Sequence, residues 1–337
     1  MNLLLLLVAG GFEFGGQATA SAGLNHSARW FGRAACEYRP EVRLGLGAYD
    51  AEVSARGSCG LDWRLFDSTG GNLSLKPYRA FLRYSRERFE VRAGLQQINF
   101  GSAALLRPLR WFDRLDPRDP LKTTDGVYGL LGRGYSGNSN AWLWGLIGNR
   151  DPKGTELTPT PQWSPEVGGR AELELPRGDA AASAHFRRTI LAPTDTVAEQ
   201  RLGFDARFDV GIGLWTEATA SRIAAGTGGR WLSQAMLGTD YTFGIGNGLT
   251  LLFEHAASGS PWRHISAASL SYPLGIFDNL QAFFFFDWSS RRPYSYVAWQ
   301  RTWNSWILLV AGFWNPDTPS AAGPAGHGGQ LSVVFNH

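Results

Sequence analysis

The stretch Arg201-Leu202-Gly203-Phe204-Asp205-Ala206-Arg207-Phe208-Asp209-Val210 changes character at every residue. Successive side chains on a strand point to opposite faces. This segment therefore carries Leu202, Phe204, Ala206, Phe208 and Val210 on one face and Arg201, Asp205, Arg207 and Asp209 on the other. Residues 166–175 repeat the rhythm, with Val167, Ala171, Leu173 and Leu175 set against Glu166, Arg170, Glu172 and Glu174. In a sandwich such an apolar face must meet a second apolar sheet. A chain made almost wholly of these strands, aromatic-rich on the apolar side, fits a closed barrel with lipid outside and water inside.

Composition agrees. Hydrophobic residues make up 44% of the 337 and charged residues 18%, yet mean hydropathy is −0.19. That excludes a bundle of membrane helices and suits a barrel whose polar half faces a lumen. The 42 Gly, 14 Trp, 10 Tyr and 20 Phe serve turns, close strand packing and the two membrane interfaces. A net charge of +3, dispersed along the chain, gives no footprint for nucleic acid. No linker or low-complexity tract divides the chain, so residues 12–337 read as one domain. Ahead of them Met1-Asn2 precedes Leu3 to Val8 and Ala9-Gly10-Gly11. This apolar run is far short of the roughly 20 residues a spanning helix needs. Residues 1–11 read as a signal segment clipped at its start, or else as the beginning of the first strand.

Alternation and turn residues predict about eighteen strands, sixteen being the nearest alternative. Their ranges are 12–24, 34–46, 49–63, 72–84, 88–98, 124–135, 139–148, 165–175, 179–190, 199–209, 212–223, 230–242, 248–257, 263–272, 279–288, 293–301, 304–314 and 327–336. Connections such as Gly47-Ala48, Ser136-Gly137-Asn138 and Pro176-Arg177-Gly178 are tight, whereas 99–123, 149–164, 191–198 and 315–326 are long. Short turns on one rim and long loops on the other are the pattern of outer-membrane barrels, and an even strand count returns both termini to the short-turn rim. In the last strand Leu331, Val333 and Phe335 alternate outward, like the C-terminal signal read by the outer-membrane insertion machinery, although Asn336-His337 follow the aromatic.

The two cysteines can be placed from one turn. If Gly47-Ala48 is a two-residue hairpin turn with glycine first, Leu46 faces Tyr49, and counting back along both strands brings Cys36 opposite Cys59. At a Cα separation of about 4.5–5.5 Å the pair is within reach of a disulfide. The alternative is two small apolar residues facing lipid.

Residues 107–119 hold four arginines and three aspartates among Leu, Trp and Phe: Arg107, Arg110, Trp111, Asp113, Arg114, Asp116, Arg118 and Asp119. An ordinary exposed loop does not need so many apolar groups. Asp116-Pro117 and Asp119-Pro120 favour rigid turns, and Arg–Asp pairs can tie those turns down. The expectation is a loop folded back into the barrel to form a constriction, with an arginine-rich gate. A packed cap whose arginines only neutralise its own aspartates is the other reading.

The run from Gly94 to Leu130, with Trp142-Leu143-Trp144-Gly145 and Pro152-Lys153-Gly154, resembles a family of porin-like outer-membrane β-barrels of Gram-negative bacteria. Gly213-Leu214-Trp215, Asp240-Tyr241-Thr242-Phe243-Gly244, Gly312-Phe313-Trp314-Asn315-Pro316-Asp317 and the ending Phe335-Asn336-His337 resemble it too. The resemblance implies fold and location, and carries over no substrate or catalytic residue.

Other chemistry is sparse. His26, His185, His255, His264, His327 and His337 form no HxH or HExxH spacing, so no metal or cofactor is implied. Gly244-Ile245-Gly246-Asn247-Gly248 sits where a hairpin turn is expected. By parity Arg92, Arg170, Glu172, Arg187, Arg201, Asp205, Arg207, Glu217 and Asp240 line the lumen, both signs in similar number. Trp215, Phe283, Phe285 and Trp299 are assigned the same side, either as a slide for solutes or as packing beneath an inserted loop. The sequence thus predicts an all-β transmembrane antiparallel barrel of the outer membrane. It would be a passive channel for small hydrophilic solutes and no enzyme, with bilayer lipid and the insertion machinery as partners and a homo-oligomer left open. The alternatives are a non-conducting scaffold or lipid-transport partner, and a barrel lipase or protease.

Overall fold

Each segment with the two-residue rhythm is a strand, and the strands pair with their neighbours in sequence all the way round. The computed structural model describes residues 11–27, 29–64, 69–192, 195–224, 229–259, 261–317 and 325–337; the signal segment expected at 1–11 lies outside them except for Gly11. The strands are β1 Gly11–His26, β2 Trp30–Leu46, β3 Tyr49–Arg64, β4 Thr69–Arg86, β5 Phe89–Gln96, β6 Val127–Ser136, β7 Ser139–Leu146, β8 Glu166–Leu175 and β9 Gly178–Ala192. They continue as β10 Asp195–Asp209, β11 Gly213–Ile223, β12 Arg230–Phe243, β13 Leu249–Ser258, β14 Arg263–Pro273, β15 Asp278–Asp287, β16 Arg292–Trp303, β17 Trp306–Trp314 and β18 His327–Asn336. All neighbours are antiparallel, and β1 pairs with both β2 and β18, which closes an 18-stranded barrel without an edge.

The two faces are inverted relative to a water-soluble protein. In β10, Leu202 is 54% and Phe204 47% exposed, while Arg201 is 3% and Asp205 1% exposed. Leu143, Val167, Leu173, Leu214 and Leu237 continue the exposed apolar face on neighbouring strands. Apolar residues on the outside of a closed sheet need a lipid solvent, and charged residues inside need partners.

Short turns gather at one rim with both termini; 97–126, 147–165 and 315–326 leave the other. Residues 191–198, expected as a long loop, are mostly strand, because β9 runs to Ala192 and β10 starts at Asp195. The polar residues there extend a hairpin past the apolar belt instead of ending it. The Gly47-Ala48 turn has Gly47 at φ 61°, a left-handed value that glycine adopts at little cost. It sets the β2–β3 register so that Cys36 faces Cys59 at a Cα separation of 5.2 Å, joined as a disulfide. Their cross-strand neighbours Ala20 and Leu73 put the pair on the outward face.

Candidate functional site

Between β5 and β6 the chain leaves the sheet for residues 97–126 and packs against the polar-parity face of the barrel. Ile98, Phe100, Leu109, Trp111 and Phe112 form one buried cluster with Val127, Leu131, Trp144 and Leu146 of β6 and β7. Phe100 lies 5.5 Å from Trp111, edge-on, and 5.8 Å from Trp144, stacked. This is the apolar content that the sequence showed in excess. Further along, Leu105 and Leu106 cover Phe283 and Phe285 of β15, and Ala103 packs with Trp215 and Met236. These aromatics are therefore covered by the loop. Trp299 does not join them: it pairs with Leu280 and Val310, which are 39% and 44% exposed, on the outward face. Phe283 and Phe285 fall on the side the sequence assigned them; the error is confined to β16, where aromatics stand on both faces, Tyr294 and Tyr296 inward and Trp299 outward.

Two wall carboxylates hold the loop by its backbone. Glu217 accepts hydrogen bonds from the amides of Ala103 (2.8 Å) and Leu109 (3.0 Å). Glu254 accepts them from Ala104 (2.7 Å), Leu105 (2.9 Å) and Leu106 (2.5 Å), and from the Trp215 indole (2.9 Å). Both glutamates are wholly buried. A buried carboxylate is tolerated only where its lone pairs are met, and five amides and an indole meet them here.

Of the expected constriction residues, three are packed inside the loop. Arg107 binds Asp113 through two bonds, of 2.5 and 3.2 Å, and also the Phe100 carbonyl at 3.3 Å. Asp113 and Trp111 are each 1% exposed. Arg107 therefore braces the loop from within, and it also lines the cavity beside it. Arg110, Arg114, Asp116 and Arg118 border that cavity too, of about 390 Å³, with Gln234, Ser258 and Phe285. Burial pushes the Arg110 guanidinium below its ordinary pKa. For Asp116 burial acts upward, but hydrogen bonds and charge from Arg118, 2.8 Å away, hold its carboxyl below the usual value. Asp119 accepts from the amides of Leu121 and Thr123, both at 2.9 Å, making a tight turn.

That turn reaches the opposite side of the ring. Asp119, Leu121 and Thr123 share a cavity of about 420 Å³ with Thr19 of β1, Arg33 and Glu37 of β2, Arg56 of β3 and Gln330 of β18. Asp125 pairs with Lys76 at 2.8 Å and Arg56 at 3.6 Å. The same segment thus touches β11 and β13 at one end and β1–β4 at the other, walls separated by half the barrel.

A second segment was not singled out by sequence. Within 147–165, Lys153 bonds Glu166 (2.9 Å) and Glu156 (3.3 Å), while Arg187 and Arg201 approach Glu156 at 3.1 and 3.5 Å. Arg114 reaches across to the Pro152 carbonyl at 2.7 Å, joining the two segments. Burial raises the Glu156 carboxyl above its ordinary value against the pull of Arg201, Arg187 and Lys153.

The expected lumen-wall residues all fall on the inward parity, but few are free in it. Arg170 grips Asp205 with bonds of 2.5 and 2.9 Å and also reaches Glu172 at 3.0 Å. Arg187 and Arg201 are tied to Glu199, each at 2.7 Å. Arg92 pairs with Glu90 at 2.8 Å, Arg207 lies over the Trp215 ring, and Asp240 faces Gly213 across the β11–β12 pair. Glu254 and Glu199 were missed, although each is an acid of inward parity and that signal was available.

Solved structures confirm the class of fold. The chain superposes on OccK2 (OpdF) of Pseudomonas aeruginosa, solved with glucuronate, at a TM-score of 0.62 and 10% identity over 96% of each chain. OccAB4 of Acinetobacter baumannii gives 0.60 at 8% identity over 97% of this chain and 98% of that one. An anion-selective porin from Comamonas acidovorans gives 0.52 at 13% identity over 97% and 100%. No family model and no curated protein matches the sequence. The architecture is that of the outer-membrane porins, crossing the membrane with eighteen strands.

Proposed function

We propose that this barrel is a passive outer-membrane channel for small hydrophilic solutes, its lumen narrowed by residues 99–123. The observation that carries the reading is the span of that segment. Glu217 and Glu254 hold its backbone on one wall, while Asp119, Thr123 and Asp125 face Arg33, Arg56 and Lys76 on the other. Acids and arginines of both the segment and the wall border the space beside these contacts and set a field there, which orders water and sorts solutes by polarity and charge. The gate consists of Arg110, Arg114, Asp116, Arg118 and Asp119, with Arg107 and Asp113 as its brace. The C-terminal strand, with Leu331 and Phe335 of one parity, is the segment we assign to the insertion machinery.

Planar-bilayer recordings in salt gradients test this directly. Steps of fixed conductance, with a reversal potential that moves when Arg110, Arg114 and Arg118 are replaced together by Ala, support the gated channel. A folded barrel that never conducts would place the scaffold reading ahead.

A further inference from the structure

Four of the six histidines meet in pairs on the outward face. His26 pairs with His327 across β1–β18, with ring centroids 5.3 Å apart. His255 of β13 lies diagonal to His264 of β14, since His255 faces Ser266 and His264 faces Ala257. Parity with Leu251, Phe253 and Leu270, all exposed, puts the second pair on the lipid side. His264 is the second residue of β14, so the pair sits at the long-loop rim, where water is at hand.

We propose that His255 and His264 form a two-imidazole site for a divalent transition-metal ion of the Zn²⁺, Ni²⁺ or Cu²⁺ class. Three observations converge. His255 Nε2 and His264 Nδ1 face each other at 3.2 Å, with the rings nearly stacked. At a metal–nitrogen distance of about 2.0–2.1 Å, two nitrogens so spaced subtend about 100° at one ion, between the square-planar and tetrahedral angles. The far nitrogen of His255, Nδ1, is 2.9 Å from Ser266 Oγ, which also accepts the Trp288 indole N–H at 2.9 Å. That outer contact fixes the ring and leaves Nε2 to present its lone pair. Without metal the two rings share one N–H; on binding that proton moves to the far nitrogen of its own ring, so both imidazoles bind neutral, and water fills the remaining positions.

The buried group Glu156, Glu166 and His185 makes an instructive contrast. Lys153 Nζ already occupies it, 2.9 Å from Glu166. The Trp144 indole, which can only donate, binds His185 Nδ1 at 3.2 Å, so Nε2 carries the proton and donates it to Glu166. His185 thus keeps no lone pair for a metal, and the Lys153 ammonium supplies the positive charge between the carboxylates. Linear spacing gave no sign of the rim site because its ligands meet only through the β13–β14 register.

The test is calorimetric titration of Zn²⁺ into the untagged, full-length barrel folded in detergent, with folding checked by heat-modifiability. Cu²⁺ electron paramagnetic resonance on the same sample counts the bound nitrogens. The expected result is one Zn²⁺ per chain and a two-nitrogen Cu²⁺ signature. Affinity should fall at least tenfold in His255→Ala and in His264→Gln, and about tenfold in Ser266→Ala, in line with other outer-contact losses. The His26→Ala/His327→Ala variant should bind as the native protein does. The proposal is overturned if the native barrel takes up no Zn²⁺ at micromolar concentrations. It is equally overturned if binding survives in both His255→Ala and His264→Gln, or is lost with His26 and His327.

Discussion

The inner wall has two sides that look alike in sequence and behave differently in the fold. On β8–β13 the inward charges Arg170, Arg187, Arg201, Asp205, Glu217 and Glu254 are each at most 5% exposed, paired with one another or bonded to loop backbone. On β2–β4 the inward arginines Arg33, Arg43 and Arg83 keep side-chain exposures of 57%, 59% and 37% despite their acid neighbours. The first wall is the main seat of a folded loop; the second keeps these arginines open to water, although Arg39 and Arg79 on it are nearly buried and Arg79 bonds the loop at Thr124. Alternation tells which side of a strand turns inward; it does not tell whether the residue there meets protein or solvent.

The largest expected effect lies on the loaded wall. Glu254→Ala removes the acceptor of three amides and the Trp215 indole. At roughly 1–3 kcal/mol for each buried donor left unmet, the loss should exceed about 4 kcal/mol in urea unfolding from detergent or lipid. Next, Asp205→Ala takes the two-bond partner from Arg170, which is 5% exposed and is left with Glu172 alone, and should cost about 3 kcal/mol. The double variant Arg170→Leu/Asp205→Leu should recover most of that loss, since two apolar groups leave no unpaired charge. If the double variant were as unstable as the single, the ion pair would not be what seats this wall.

Acid should act on the loop in a definite direction. Asp116 is held below its ordinary value of 3.8, so its tie to Arg118 is in place above pH 3.8 and is lost as pH falls through the lowered value. Single-channel traces should be quiet at neutral pH and become noisy only below that point. Asp116→Asn should be noisy throughout. The smallest effect on stability belongs to the open wall. Arg56, bonded to Glu37 at 2.7 Å and partly exposed, should cost no more than about 1 kcal/mol as Arg56→Ala. The same change should move the reversal potential toward cation preference. A large stability loss there would erase the distinction between the walls.

Particular residues show what was legible in advance. All eighteen strands could be read from alternation, because one face of each must suit lipid. The Cys36–Cys59 register followed from a single glycine turn. The loop's apolar excess signalled packing, yet which arginine braces and which lines a cavity depended on its fold, which has no period to read. Glu254 stands alone in the greasy run Leu249–Ala257, and its role depends on amides about 150 positions away. Lys153 and Glu156 meet Glu166, Arg187 and Arg201 only once β8–β10 pair, His255 meets His264 only through the β13–β14 register, and His26 meets His327 only when the barrel closes.

The most direct test of the central claim is single-channel conductance of the native barrel beside Glu254→Ala, recorded in the same bilayer and salt. The native chain should show discrete steps of fixed size, and the variant, whose loop has lost its seat, larger or fluctuating ones. Identical conductance in both, with each barrel shown to be folded, would mean that residues 99–123 do not set the passage.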